Sequence, residues 1–309
     1  MAKVLVTGGA GFIGSHLVDL LLLQGYEVRV LDDLSTGKII NLPINHPALE
    51  FVQGSVVDPA VLEVCRGVDA VVHLAAIVSV PFSIDQPYNS SMVNLTGFLN
   101  LLNCLREQSF KGRIVYASSS AVYGMKVADR PLVEEDAPGV LGSPYAADKY
   151  ADELYAGLYA DLYGLSALGF RFFNVYGPRQ DPESPYSGVI SIFMDRVSRL
   201  EPVVIYGDGA QTRDFVYVGD VVHILARSLQ LTCAGALNLG TGSSVSILEL
   251  AEVVGKIFDQ QVLIESKPER LGDVRSSSAD ISLLQKAIGS FPETDLEAGL
   301  VLLKAFNEQ

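Results

Sequence analysis

Three glycines, at positions 8, 11 and 14, separate a short apolar run, Val4-Leu5-Val6, from a stretch whose apolar residues recur at helical spacing: Phe12, Ile13, Leu17, Leu20 and Leu21. A buried strand that turns through glycines straight into a helix has few ways to fold. Gly8 permits the tight turn, Gly11 lets the backbone approach a diphosphate, and Gly14 lets the helix pack closely on the strand. The unpaired N–H groups of the first helical turn then face the phosphates. The spacing is GxxGxxG rather than GxGxxG, so it is the flanking strand and helix that give the pattern its meaning as a dinucleotide cradle.

The next strand, Glu27 to Leu31, runs into Asp32. An acid about 20 residues past the glycines, at a strand tip, accepts from both hydroxyls of an adenosine ribose and repels a 2′-phosphate. Asp32 therefore favours NAD over NADP. A third strand, Glu50 to Gln53, leads to Val57 and Asp58, and Asp58 is expected both to cap a helix starting at Pro59 and to accept from the adenine amino group. Asp69 to Ala76 reads as a fourth buried strand, where Leu74, Ala75 and Ala76 leave room for a cofactor across the sheet edge. His73 within it reads as a core histidine with its bonds satisfied.

A long helix is expected over 87–108, a fifth strand over Gly112–Ala117, a second long helix over about 144–163, and a sixth strand over Leu165–Phe172. Strand and helix in alternation predict an α/β fold, a doubly wound parallel sheet of Rossmann type, with ligands beyond the carboxyl ends of its strands. Residues 1–173 form this cofactor-binding part. From Asn174 the pattern loosens into a long turn-rich loop and short strands and helices, read as a smaller α/β region over 174–309 with some segments returning to the first part.

The formal charge of −14 opposes a nucleic-acid surface, which needs a basic footprint. A few arginines still hold a diphosphate locally. No apolar run approaches the roughly 20 residues of a membrane span. Three scattered cysteines, Cys65, Cys104 and Cys233, imply neither a disulfide framework nor a zinc site, and a reducing cytoplasm is expected.

The chemistry centres on Tyr145 and Lys149, four apart and so on one helix face. A phenol ionises near pH 10 in water. A neighbouring ammonium and a positive nicotinamide ring favour the phenolate, which makes Tyr145 a general acid/base toward a carbinol. Serines 118 to 120 end the fifth strand, and of the three Ser119 is the expected partner of the reacting oxygen, with Ser120 next.

Together, Gly8-Gly9-Ala10-Gly11-Phe12-Ile13-Gly14, the serines before Val122-Tyr123-Gly124, Tyr145 with Lys149, Arg171-Phe172-Phe173-Asn174-Val175-Tyr176-Gly177-Pro178-Arg179, and Arg213-Asp214-Phe215-Val216-Tyr217-Val218 resemble the extended short-chain dehydrogenase/reductase superfamily. Within it the chain is similar to the UDP-hexose 4-epimerases, from residue 3 to about 285. The resemblance implies that Tyr145 removes the proton of the sugar 4-hydroxyl while hydride passes from C4 to NAD, and that Lys149 holds the nicotinamide ribose. The transient 4-keto sugar turns over and takes the hydride back on its other face. It also implies NAD contacts at Phe172, and a homodimer through the two long helices.

Relatives with other outcomes carry a carboxylate beside the serine: Asp-Glu just after it in sugar-nucleotide 4,6-dehydratases, and Glu two places after it in UDP-glucuronate decarboxylases. Here those positions are Ser120 and Ala121. By similarity Asn174 meets the diphosphate, Val189 flanks uracil and Tyr206 lies beside the nucleoside. Arg213 and Arg270 pair with phosphate or ribose, and Gly272-Asp273-Val274-Arg275 closes over the nucleotide. Surface ion pairing is the ordinary alternative for Arg270 and Arg275. Ser277 aligns with a bulky Tyr of the glucose/galactose enzymes, and a small residue there leaves space for a 2-acetamido group. Arg179-Gln180-Asp181-Pro182 with Tyr186 also looks like the enzymes of N-acetylated sugars. UDP-GlcNAc and UDP-GalNAc are thus the expected substrates, with UDP-glucose and UDP-galactose as a slower pair. The competing readings are a uronic-acid epimerase or decarboxylase on the same scaffold, and a non-catalytic NAD-sensing protein.

Overall fold

The computed structural model describes residues 1–125, 130–136, 138–182, 188–269, 274–291 and 293–308, with side chains omitted at 60–62. The first part of the chain runs β1 (Lys3–Thr7), α1 (Phe12–Leu23), β2 (Glu27–Asp32), β3 (Leu49–Gln53), β4 (Ala70–His73), α2 (Val80–Asp85), α3 (Pro87–Ser91), α4 (Gly97–Glu107), β5 (Arg113–Ser119), α5 (Pro144–Tyr163) and β6 (Ser166–Phe172). The second part continues with β7 (Asn174–Tyr176), α6 (Val189–Ser198), β8 (Val203–Tyr206), β9 (Thr212–Arg213), β10 (Phe215–Tyr217), α7 (Val218–Ser228), β11 (Gly235–Leu239), β12 (Val245–Ser246), α8 (Ile247–Phe258), β13 (Ile264–Lys267), α9 (Ser282–Ile288) and α10 (Leu296–Asn307).

Seven parallel strands make the central sheet in the order β11-β6-β5-β4-β1-β2-β3. The order reverses at β1, where strand ends open a crevice for a ligand. This is the doubly wound Rossmann sheet expected from the alternation of elements. Its strands are apolar on both faces because both are covered. Val4, Val6, Val30 and Val72 meet Leu17 and Leu21 of α1 and Val221 and Leu225 of α7. Leu5, Leu31, Val71 and Ile114 meet Phe98 and Leu101 of α4 and Ala156 of α5. The second part has its own apolar core, where Ile190 and Phe193 of α6 join Val203, Ile205, Leu250 and Leu300. No described helix is long and apolar enough to cross a membrane.

Three local readings are corrected. The fourth strand stops at His73 and not at Ala76: the Leu74 amide makes its last ladder bond, to the Thr7 carbonyl (3.0 Å), and the Ala75 amide then turns to the Thr7 side chain (Oγ1, 3.3 Å). The segment after Asp58 is a 3₁₀ helix over Pro59–Cys65. The helix expected over 87–108 contains a π turn, Met92–Thr96, between α3 and α4. That turn aims the buried Asn94 at the Ile77 backbone, where its amide accepts from Ile77 N (2.8 Å) and donates to Ile77 O (3.0 Å). π turns are frequent at functional positions, and this one pins the loop leaving β4.

Candidate active site

The glycine loop leaves β1 with Gly8 at φ +69°, and the Gly8 amide donates to the Leu31 carbonyl of β2 at 2.8 Å. A Cβ on Gly14 would lie 2.1 Å from the Gly8 carbonyl oxygen, and one on Gly8 would lie 2.7 Å from the Ala75 amide nitrogen. Neither position admits a side chain. Gly11, the residue before α1, supplies no side-chain cap, so the N–H groups at the start of the helix remain for a ligand. Phe12 and Ile13 pack inward and hold that helix end on the sheet. A diphosphate fits this cradle.

Asp32 is more deeply engaged than a ribose ligand alone would be. Its Oδ2 accepts the Ala10 amide (2.9 Å) and its Oδ1 the Leu34 amide (2.8 Å), so it first clamps the glycine loop to the end of β2. Burial pushes its carboxyl above the usual range, against the pull of those two bonds. Each oxygen keeps a second acceptor position for ribose hydroxyls. Asp58 is exposed, and the preceding Val57 carbonyl is held by Asn100 Nδ2 at 3.4 Å. Leu74, Ala75 and Ala76 form the partly exposed lip above β4. His73 lies beneath them, fully buried, with Nδ1 on Thr7 Oγ1 at 2.8 Å and Nε2 without a partner among the described residues. The histidine expected to be satisfied is satisfied on one side only. Burial, reinforced by the charge of Lys149, lowers its pKa to about 3.

At the end of β5 the three serines separate. Ser118 Oγ donates to Glu153 Oε1 at 2.5 Å, whereas Ser119 Oγ accepts the Ala121 amide at 3.2 Å and opens the 3₁₀ turn Ser120–Tyr123. Helix α5 packs on this turn and on β5. It starts at Ser143, whose side chain accepts the Ala146 amide, with Pro144 as the first helical residue, and it ends at Gly164 in the left-handed conformation. That start sets Tyr145 and Lys149 one turn apart on the inner face, 9% and 1% exposed. Lys149 Nζ donates to Asp152 Oδ2 at 3.2 Å, and Asp152 is itself buried. Burial raises the Asp152 carboxyl to about 6, with Lys149 pulling the other way.

Several residues around this site had no role assigned from the sequence. Glu153 receives a fork from Arg171 of β6, Nε to Oε1 at 2.9 Å and Nη2 to Oε2 at 2.8 Å. The guanidinium also covers the Tyr123 ring, 4.8 Å from its centroid, and Tyr123 Oη donates to Asn238 Oδ1 at 2.6 Å. Asp214 accepts from Thr241 N and Oγ1, Gly242 N and Ala279 N, at 2.8 to 3.1 Å, and so gathers distant loops. The Asp of the Arg213-Asp214-Phe215 run was the available signal for this hub.

Phe172 ends β6 and Asn174 opens β7, whose backbone joins the second part through the Asp214 carbonyl (Asn174 N to O, 2.9 Å). Val189 is the first residue of α6. Tyr206, Asp208, Gln211, Val274 and Arg275 line a cavity of about 180 Å³. Arg213 Nη1 donates to the Thr212 and Val274 carbonyls at 2.7 and 2.6 Å, which ties β9 to the segment before Arg275. Ser277 is buried, and its amide donates to the Thr212 carbonyl at 3.2 Å. Arg275, expected over the nucleotide with surface ion pairing as its ordinary alternative, forks its guanidinium onto Asp208 at 2.7 and 2.8 Å beside this cavity. That bond holds the Asp208 carboxyl well below the usual range. Arg270, Gly272, Asp273 and Tyr186 lie outside the described residues.

A parallel sheet with a glycine cradle at its first crossover, and a tyrosine and lysine one turn apart beside a serine at the end of β5, define an extended short-chain dehydrogenase/reductase. Residues 4–240 match the model of the NAD dependent epimerase/dehydratase family. The chain belongs to that family. It is 40% identical to a putative UDP-glucose 4-epimerase of Methanocaldococcus jannaschii, over 96% of this chain and 95% of the relative. A UDP-N-acetylglucosamine 4-epimerase from Methanobrevibacter ruminantium, solved with UDP-N-acetylmuramic acid, superposes with a TM-score of 0.95 at 37% identity, over 99% and 98% of the two chains. A UDP-glucose 4-epimerase from Thermotoga maritima, solved with UDP-glucose, gives 0.92 at 38% identity, again over 99% and 98%.

Proposed function

We propose that this protein is an NAD-dependent 4-epimerase of UDP-sugars that interconverts UDP-GlcNAc and UDP-GalNAc, with UDP-glucose and UDP-galactose as a slower pair. The observation that carries the chemistry is α5, which presents Tyr145 and Lys149 on one buried face beside a β5 end that continues as Ser120 and Ala121. Bound NAD supplies the acceptor, and later the donor, of the C4 hydride. Tyr145, as phenolate, takes the proton of the sugar 4-hydroxyl and returns it once the 4-keto sugar has turned over. Lys149 contributes positive charge beside the phenolate and donors for the ribose of the cofactor. Ser119, whose Oγ accepts from Ala121 and keeps its own proton, donates to the reacting oxygen. With no carboxylate at 120 or 121, elimination of water and decarboxylation lack their second group, which leaves inversion at C4.

The glycine cradle, Asp32, Asp58 and Leu74–Ala76 would hold NAD. Asn174, Val189, Tyr206, Arg213 and Arg270 would hold the UDP part, with the segment carrying Asp273 and Arg275 closing over it. The preference for N-acetylated sugars rests on Ser277, a small buried residue bonded to β9, and is supported by the similar structure from Methanobrevibacter ruminantium. A homodimer fits the outer face of α5, where Leu154, Leu158 and Leu162 are 50 to 67% exposed at helical spacing beside α2 and α3, which carry the exposed Ile84 and Tyr88.

Purified protein incubated with UDP-GlcNAc and, separately, UDP-glucose tests the reading by chromatography of the products. UDP-GalNAc as the faster product, with Tyr145→Phe about 10²–10⁴-fold slower, is the expected result. Conversion of UDP-glucose alone removes the Ser277 argument and keeps the chemistry. Conversion of neither, with NAD retained, overturns the reading.

A further inference from the structure

We propose that Asp152 is a positioning residue of the Tyr145–Lys149 pair: it is the internal counter-ion that keeps the buried Lys149 ammonium charged and fixes the direction of one of its N–H bonds. This rests on the catalytic reading of Tyr145 and Lys149 given above. Tyr145, Lys149 and Asp152 fall at i, i+4 and i+7 of α5, so phenol, ammonium and carboxylate follow one another along a single face.

Asp152 is set apart from the buried acids that brace the fold, because the bond it accepts comes from Lys149. Other buried acids of this protein are tied into the fold by several donors: Asp214 by four and Asp220 by the Thr294 amide and hydroxyl. Asp152 is as buried as they are, yet its Oδ2 meets Lys149 Nζ at 3.2 Å and its Oδ1 has no partner among the described residues. A carboxylate whose bonded partner is a buried ammonium acts directly on the charge state of that ammonium. An ammonium taken out of water gives up its proton unless a negative group stands beside it.

The remaining acids near Lys149 are bonded to other groups, though Asp148, like Asp152, keeps one oxygen without a partner among the described residues; the Lys149 ammonium donates to Asp152. Glu153 is forked to Arg171 and bonded to Ser118, and Asp148 accepts from Ser91 at 2.8 Å. The other titratable groups that face the pair are His73 from β4, held neutral by burial, and Tyr116 from β5, whose phenol is driven further from ionisation by the same burial. A lysine carries three donors. With one directed to Asp152, two remain for other acceptors, the bound cofactor among them.

The test uses the full-length holoenzyme with Asp152→Asn and Asp152→Glu, reading kcat and KM for the UDP-sugar from pH 6 to 10, together with NAD content and melting temperature. In Asp152→Asn, kcat at pH 6 is expected within about 3-fold of wild type, KM within about 2-fold, and the high-pH limb about 1–3 units lower, the range for loss of an adjacent opposite charge. Asp152→Glu restores the limb. A kcat–pH profile superimposable on wild type overturns the proposal, as does a uniform loss at every pH that follows the melting temperature. Independently of any sugar, side-chain NMR of ¹⁵N-lysine-labelled protein, with Lys149 assigned by Lys149→Arg, should show the ammonium titrating about 1–3 units lower in Asp152→Asn than in wild type. An unchanged titration sinks the proposal even if the enzyme epimerises; a shifted one in a protein that converts no UDP-sugar sinks the catalytic reading and keeps the counter-ion.

Discussion

Ser118 Oγ donates to Glu153 Oε1 across 2.5 Å, and Glu153 in turn receives both arms of the Arg171 guanidinium. Sequence ranks Ser119 first among the three serines at the end of β5, and the structure commits the Ser118 proton to this ion pair. Glu153→Gln strands a buried guanidinium, since both partners are only 9% exposed. A loss of about 3–5 kcal/mol is expected in denaturant unfolding. Ser118→Ala should cost about 1 kcal/mol and leave epimerisation within a few-fold, whereas Ser119→Ala should slow it strongly.

Gly14→Ala should give protein without bound NAD and with reduced stability. Its Cβ would stand 2.1 Å from backbone oxygen of Gly8, which cannot give way without opening the cradle. Gly25→Ala is the control. It has φ +83° and no atom near its Cβ position, so it should lose about 1 kcal/mol for backbone strain and keep its cofactor. NAD released on denaturation, measured by absorbance, separates the two.

His73 should make the protein acid-sensitive. Its pKa of about 3 in the folded chain lies below the value near 6.5 of the unfolded one. Only the unfolded state takes up this proton between those limits, so stability is complete above pH 6.5 and falls as the pH drops toward 3. At pH 5 the loss from this residue is about 2 kcal/mol. Melting curves of wild type and His73→Asn between pH 7.5 and 5 should converge on acidification, because the variant lacks this proton uptake.

Leu158→Glu should yield a monomer. A charge in the middle of the exposed α5 stripe blocks its burial against a second copy, while the side chain is already 50% exposed within one chain. Light scattering should report 33.2 kDa for the variant and twice that for wild type.

The sequence shows most clearly what depends on neighbours along the chain. The ends of α5 were readable because Ser143-Pro144 and Gly164 are local stop and start chemistry, and the cradle because its glycines, strand and helix are contiguous. What depended on distant partners was hidden. The separation of Ser118 from Ser119 is made by Glu153, 35 residues on. The early end of β4 is made by Thr7, and the π turn by the need of Asn94 to reach Ile77. Arg275 lies in a nucleotide motif, and nothing in that motif announces the fork it makes onto Asp208, 67 residues earlier. In the second part, β9 and β12 are two residues each, too short for any periodicity to register.

The return of β11 to the outer edge of β6 has a consequence for anyone who would divide this protein. Cut after residue 173, the first piece would expose the whole flank of β6, and the strand that fits it, Gly235–Leu239, would travel with the other piece. Neither fragment would be a stand-alone module. Produced together they would behave as complementing halves, each silent alone, whose reunion could be read out by the recovery of bound NAD.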